Sequence, residues 1–224
     1  MSRGSSAPPS RPGGPRDIPQ LLARFPVVTP ETSSAGAAVT IVLRPGEDGT
    51  EVLLIERSRR PDDPASGEVA LPGGRVDGGD ANLAATAIRE LEEEVGLRAD
   101  DLAGPLHFVR HREAPRFGLR VGVFAAELAS GGRGPSVHQS DEVSHVFWIP
   151  SARLDPPDLV RTETRRGTIE VPATVFEGHV LWGFTRRVVR EFFDLPVEPE
   201  VYPTGVRGGT DRPRETPTGP PRER

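Results

Sequence analysis

Cysteine is absent from the 224 residues, which excludes a disulfide framework, thiolate zinc sites and a cysteine nucleophile together. Its absence fits a reducing compartment, and a cytoplasmic location is the expectation. Lysine is absent too, so all 28 cationic side chains are arginines. No apolar run approaches the ~18 residues that a membrane helix needs. The opening MSRGSSAPPSRPGGPRD also lacks an apolar signal core, so no membrane is expected as a partner. Surplus positive charge is missing as well: a formal net charge of -5 and a pI near 5.6 argue against a protein that grips phosphate backbones through a basic stripe. Nucleic acid is therefore not expected as a partner. Large apolar side chains are scarce in residues 1–16 and 196–224, which hold 11 of the 25 prolines, so both tails are expected to be disordered. The folded domain is expected to span residues 17–195.

Between the tails the apolar pattern changes period several times. Ala37–Leu43 and Glu51–Glu56 are short β-branched runs around the turn-forming RPGEDGT and predict a hairpin. Leu106–Arg112 and Leu119–Leu128 alternate around a turn at Ala114–Gly118, and Val143–Ile149 and Thr168–Val175 complete the predicted strands. Helical spacing occurs in Ala81–Val95 and in Trp182–Phe193, where Trp182, Thr185, Val188, Val189 and Phe192 share a stripe read as core; Asp17–Phe25 predicts a short third helix. The pattern specifies an α/β/α layered single domain with a mixed sheet.

The informative stretch is Leu71-Pro72-Gly73-Gly74-Arg75-Val76-Asp77-Gly78-Gly79-Asp80, followed by ANLAATAIRELEEEVGL, which reads as strand, glycine loop and helix. On a helical wheel Leu83, Ala84, Ala87, Ile88, Leu91 and Val95 form the face that packs on the sheet. Glu90, Glu93 and Glu94 fall together on an adjoining arc, and Glu92 points elsewhere. Three carboxylates so spaced repel one another without a counter-charge, which a divalent cation would supply. Hard oxygen ligands of this kind select Mg²⁺ or Mn²⁺. An acidic run alone is commonly a solvated helix face, but Gly73 and Gly74 let the backbone approach a ligand closely, which a plain surface helix does not need. Asp80 is read as the N-cap of the helix and Gly96 as its left-handed C-cap. None of the five histidines forms a zinc-binding pair one turn apart on a helix, so no metal role falls to them.

These residues resemble a family. Arg89-Glu90-Leu91-Glu92-Glu93-Glu94-Val95-Gly96-Leu97 matches the end of the Nudix box, Arg-Glu-apolar-x-Glu-Glu-x-Gly-apolar, at every fixed position. The front of the box departs from the general pattern. Ala81 stands where Glu is usual and Arg75 where Gly is usual, while Gly74 and Asp80 sit one residue early. That offset resembles the coenzyme A pyrophosphatase branch, as do Leu71-Pro72-Gly73-Gly74, the stretch from Ser140 to Phe147, and Val180-Leu181-Trp182-Gly183-Phe184-Thr185. Gly67-Glu68-Val69-Ala70-Leu71 echoes a further motif of the branch, but residues 59–66 run one residue longer and Asp62 stands where the branch has Arg.

The resemblance implies a Nudix-type α/β/α sandwich and metal-dependent hydrolysis of a diphosphate bridge in a small-molecule, nucleoside diphosphate-linked substrate. The substrate expected is coenzyme A or an acyl derivative, with ADP-ribose or another nucleoside diphosphate derivative as the alternative. Glu90 and Glu94 are then metal ligands, with Mg²⁺ or Mn²⁺ as cofactor, and Glu93 ligates a further metal or orients the attacking water. Arg89 fixes the glutamates by ion pairing. Gly73 and Gly74 approach the substrate, and Arg57, Arg110 and Arg112 are candidates for phosphate contact. Glu142 is a candidate general base beside Glu93. A homodimer is admitted as the assembly. A nucleotide-sensing module without catalysis is a further alternative, against which the intact glutamates weigh, and a DNA-binding regulator is not expected because the C-terminal tail has no room for a helix-turn-helix.

Overall fold

The computed structural model describes residues 17–27, 35–61, 65–136, 141–155, 157–164 and 167–197. The tails expected to be disordered lie outside these residues, save for Pro196 and Val197, and so does Asp62. The first helix, α1 (Ile18–Leu22), buries Ile18, Leu21 and Leu22. The predicted hairpin forms as β1 (Ala37–Gly46) and β2 (Gly49–Arg57), joined by a tight turn in which Gly49 takes φ 110°. Two short strands follow, β3 (Val69–Ala70) and β4 (Gly73–Arg75), before the helix α2 (Leu83–Val95). Strands β5 (His107–Ala114), β6 (Leu119–Glu127) and β7 (Val143–Pro150) complete a seven-stranded sheet of order β3-β2-β1-β6-β5, with β4 beside β1 and β7 beside β2. β1 runs parallel to β6 and antiparallel to β2 and β4, so the sheet is mixed as expected.

The chain then forms β8 (Asp158–Thr164), β9 (Gly167–Phe176) and β10 (His179–Trp182), a separate three-stranded antiparallel sheet, and ends on α3 (Gly183–Phe192). Only β9 of this second sheet is predicted by the pattern. The last helix begins one residue later than expected because Trp182 remains extended, at φ -145° and ψ 179°.

Side chains alternate across the large sheet and create two cores. Ala38, Val42, Leu53, Ile55 and Phe124 meet the predicted face of α2, where Leu83, Ala87, Leu91 and Val95 are all fully buried. Ile41, Leu43, Leu54, Val123 and Ile149 point the other way and meet α1 and α3 through Leu21, Val189 and Phe192. Burial of each large aliphatic side chain stabilises the fold by about 1.5–3 kcal/mol. This is the layered α/β/α arrangement, and it fixes α2 against β1 and β4.

Candidate active site

Helix α2 starts at Leu83, not Ala81, and its N-cap is Asn82, whose side chain accepts from the Ala85 amide at 2.9 Å. Gly96 ends it in the left-handed conformation, at φ 71°. Asp80 is therefore free of the capping role that its position suggested. It accepts instead from the Asp77 amide, from Thr86 Oγ1 and from two nitrogens of Arg89. The Arg89 guanidinium beside it, more than any other group, holds the Asp80 carboxyl down to about 2.

Arg89 is the hub of the arc. Nη1 donates to Glu90 Oε1 and to Glu93 Oε2, each at 2.9 Å, while Nη2 also donates to the Arg75 carbonyl at 2.9 Å. The bond to Asp80 raises the Arg89 pKa further still, so its charge is permanent. Glu92 points away and pairs with Arg98 at 2.9 Å, as its place on the wheel requires.

The expected glycine loop is a strand. β4 pairs with β1 in the register Ala38↔Gly74 and Val39↔Gly73. Gly73 has φ 148°, and a Cβ there would lie 2.2 Å from the Ala38 carbonyl oxygen, so no larger residue fits. A Cβ on Gly74 would lie 2.3 Å from Glu90 Oε1. The two glycines therefore admit carboxylates close to the backbone: Glu90 lies over Gly74, and the Gly73 amide donates to Glu94 Oε2 at 2.8 Å.

The arc is graded in exposure. The Glu94 side chain is 4% exposed and that of Glu93 56%, with Glu90 between them. Burial pushes the Glu94 carboxyl up to about 8, against the Gly73 amide and Arg57, which favour its charged form; Glu90 and Glu142 push it up further. Burial likewise raises Glu90. Arg57 Nη1 stands 3.8 Å from Glu94 Oε1, at a shift of register between β2 and β7. Glu142 stands near enough for its charge to act on both Glu90 and Glu94, and Arg60 lies 3.6 Å from it. Thus Arg57, Gly73, Gly74, Arg89, Glu90, Glu93 and Glu94 come together. Arg110 and Arg112 do not: both turn to Glu191 on α3, on the opposite face of the sheet from α2.

Among the described residues no three carboxylate or imidazole groups converge as they would around a bound metal ion. Arg89 occupies Glu90 and Glu93, and Gly73 and Arg57 occupy Glu94. The donor set nevertheless suits a hard divalent cation, because all its oxygens are carboxylate and two of the carboxylates are held in a buried site that penalises their charge. Glu90 and Glu94 are the residues that would hold it.

Comparison with known proteins finds relatives for most of this chain. The model of the NUDIX domain matches residues 35–169. The Nudix hydrolase NudL of Cronobacter sakazakii is 31% identical over 192 residues, covering 79% of this chain and 93% of that one; NudL of Escherichia coli O1:K1 is 32% identical over 189 residues, covering 78% and 92%. Both relatives are described as uncharacterized. Among solved structures, a C. elegans Ap4A hydrolase in a binary complex is similar at 23% identity and a TM-score of 0.40, covering 52% of this chain and 80% of that one. A MutT/nudix family protein from Enterococcus faecalis reaches 0.48 at 14% identity, covering 80% and 69%. The chain belongs to the Nudix family. It is a pyrophosphohydrolase of that family, whose members generally use divalent metal ions and act on small-molecule nucleoside diphosphates. No helix among the described residues is long and apolar enough to cross a membrane.

Proposed function

We propose that the enzyme hydrolyses coenzyme A or an acyl-coenzyme A to 3′,5′-ADP and the corresponding phosphopantetheine, with Mg²⁺ or Mn²⁺ held by Glu90 and Glu94. The observation that carries the substrate is the displaced front of the box, with Gly74 and Asp80 one residue early, together with the stretches Gly67–Gly74, Ser140–Phe147 and Val180–Thr185. The position of Asp80 has a structural consequence here, since Asp80 reaches Arg89 with both oxygens. Absence of cysteine supports a reducing, cytoplasmic setting.

In the reaction a water oxygen forms a bond to one phosphorus of the bridge, and the bond from that phosphorus to the bridging oxygen breaks. A bound divalent ion would polarise the phosphoryl oxygens and neutralise the charge that develops on them. Glu93, exposed at the edge of the arc, accepts the water's proton or orients the water; Glu142 is the second candidate for this base. Arg89 holds Glu90 and Glu93 in place and has no donors to spare for substrate, because its nitrogens already serve three carboxylates and a carbonyl. In this reading Arg57, 3.8 Å from Glu94, contacts a phosphate of the bridge.

The test is a kcat/KM comparison of coenzyme A, dephospho-coenzyme A, ADP-ribose and NADH, with products separated by chromatography. The reading predicts the highest value for coenzyme A or an acyl derivative and release of 3′,5′-ADP. A value for ADP-ribose or NADH well above that for coenzyme A rejects this substrate and leaves the hydrolase in place.

A further inference from the structure

On the opposite face of the sheet from α2, β5 and α3 enclose a small cleft whose charge the diphosphatase chemistry does not use. Val109, Val123 and Val188 give it apolar walls, and Phe25 stacks on Phe192 beside it with ring centroids 5.5 Å apart. Arg110 and Arg112 both turn to one carboxylate there. Arg112 Nη2 contacts Glu191 Oε2, and Arg110 Nη1 lies 3.8 Å from the same oxygen. Two guanidiniums around one carboxylate leave a positive charge over. Arg24 also lines the cleft, but Asp194 neutralises it at 2.7 Å.

A second observation points to the same place. Among the described residues three buried side-chain polar atoms lack a hydrogen-bond partner, and two of them are Arg112 Nε and Glu191 Oε2. The ion pair between these side chains runs through Arg112 Nη2, so it leaves Arg112 Nε without a partner. A buried donor and a buried acceptor left together call for an occupant that both accepts from Arg112 Nε and donates to Glu191 Oε2. The cavity beside them measures about 10 Å³, room for a single oxygen atom.

We propose that this cleft binds an oxyanion and takes a phosphate group. One protonated phosphate oxygen enters the cavity, accepts from Arg112 Nε and donates to Glu191 Oε2, and the others accept from Arg110, whose side chain is half exposed at the rim. A planar guanidinium suits a phosphate better than any other cationic side chain. When the site is empty, Glu191 keeps the two arginines together. The phosphate has two sources: a free inorganic phosphate ion, or a phosphate ester carried by the substrate itself. The site is read by binding, so its failure is separable from failure of the proposed reaction.

The experiment titrates inorganic phosphate into the full chain without divalent metal ions, followed by calorimetry and by amide shifts of β5. Saturable binding is expected, weakened at least about tenfold by Arg110→Ala, since a charge-assisted hydrogen bond is lost, and recovered in part by Arg110→Lys. Arg110 is the safer position because Arg112→Ala leaves Glu191 buried without its partner. If the phosphate is the substrate's own, Arg110→Ala raises KM for coenzyme A and leaves that for dephospho-coenzyme A unchanged. If it is a free ion, both KM values stay put while phosphate binding still depends on Arg110. No saturable binding to the wild type, as expected if a lone water fills the cavity, overturns the proposal, and so does equal affinity in Arg110→Ala.

Discussion

Asp80 and Arg89 meet as a two-point fork, Nε to Oδ1 at 3.1 Å and Nη2 to Oδ2 at 3.0 Å, with the Asp80 side chain only 6% exposed. The same guanidinium reaches Glu90 and Glu93, so a residue before the helix fixes the carboxylate arc on it. Asp80→Asn replaces the charged fork with hydrogen bonds from the Arg89 cation to a single neutral amide oxygen. The expected cost is about 1–3 kcal/mol, with kcat lowered more than KM is raised. Thermal melting and steady-state kinetics check both. Arg89→Lys should fail in the same way, because a point charge cannot form the fork.

Asp80 also sets an acid limit. Its carboxyl lies at about 2 in the folded chain, against an ordinary value of 3.8, so its contribution to stability is full above the ordinary value and is lost as pH falls through about 2. Urea unfolding of the wild type and Asp80→Asn should show a stability difference that is constant above pH 4 and shrinks towards pH 2. A difference independent of pH over that range contradicts the assignment.

Glu94 acts in the opposite sense. Its folded carboxyl is raised to about 8 from 4.5, so the folded state holds that proton more tightly than the unfolded one. The resulting loss of stability is absent below pH 4.5 and grows as pH rises to about 8. Metal-free protein should therefore weaken between pH 5 and 8, and Glu94→Gln should remove much of that slope. Mg²⁺ should stabilise the wild type more at pH 8 than at pH 6 and have less effect on the variant. Melting curves across this grid are the check.

Gly74→Ala tests the room left for Glu90. The added Cβ would lie 2.3 Å from Glu90 Oε1 and 2.6 Å from its carboxyl carbon, so the carboxylate must move. Overpacking of this kind typically costs about 1–3 kcal/mol. Activity should fall by more than the loss of folded protein explains, measured as kcat on the soluble fraction at 20 °C.

The long periodic elements were legible in the sequence because each carries its own pattern: the buried face of α2, the arc of Glu90, Glu93 and Glu94, and the divergence of Glu92 all follow from helical spacing. β3 and β4 were not, since two or three residues have no period, and Gly73 and Gly74 read as a loop until β1 pairs with them. β8 was hidden by its charged residues and the prolines before it. Asp80 was misread because its true partner, Arg89, lies nine residues away on the helix, whereas a cap is a local signal; its early position in the box was the available clue. Burial of Arg190 had no signal either, because the groups that satisfy it, the carbonyls of Leu154 and Pro196 and the carboxylate of Asp155, come from elsewhere in the chain.

Metal-dependent cleavage of a diphosphate bridge is proposed to rest on Glu90 and Glu94 of α2. The most direct measurement is the hydrolysis rate of wild type, Glu90→Gln, Glu94→Gln and Glu92→Gln on the best diphosphate substrate, with Mg²⁺ and with EDTA. Even groups that only support metal ligands are worth about 10–100-fold, so Glu90→Gln and Glu94→Gln should each lose at least that, while Glu92→Gln stays near wild type and EDTA abolishes turnover. Unchanged activity in EDTA, or equal losses from Glu92→Gln and Glu94→Gln, would show that these carboxylates do not hold a catalytic metal ion.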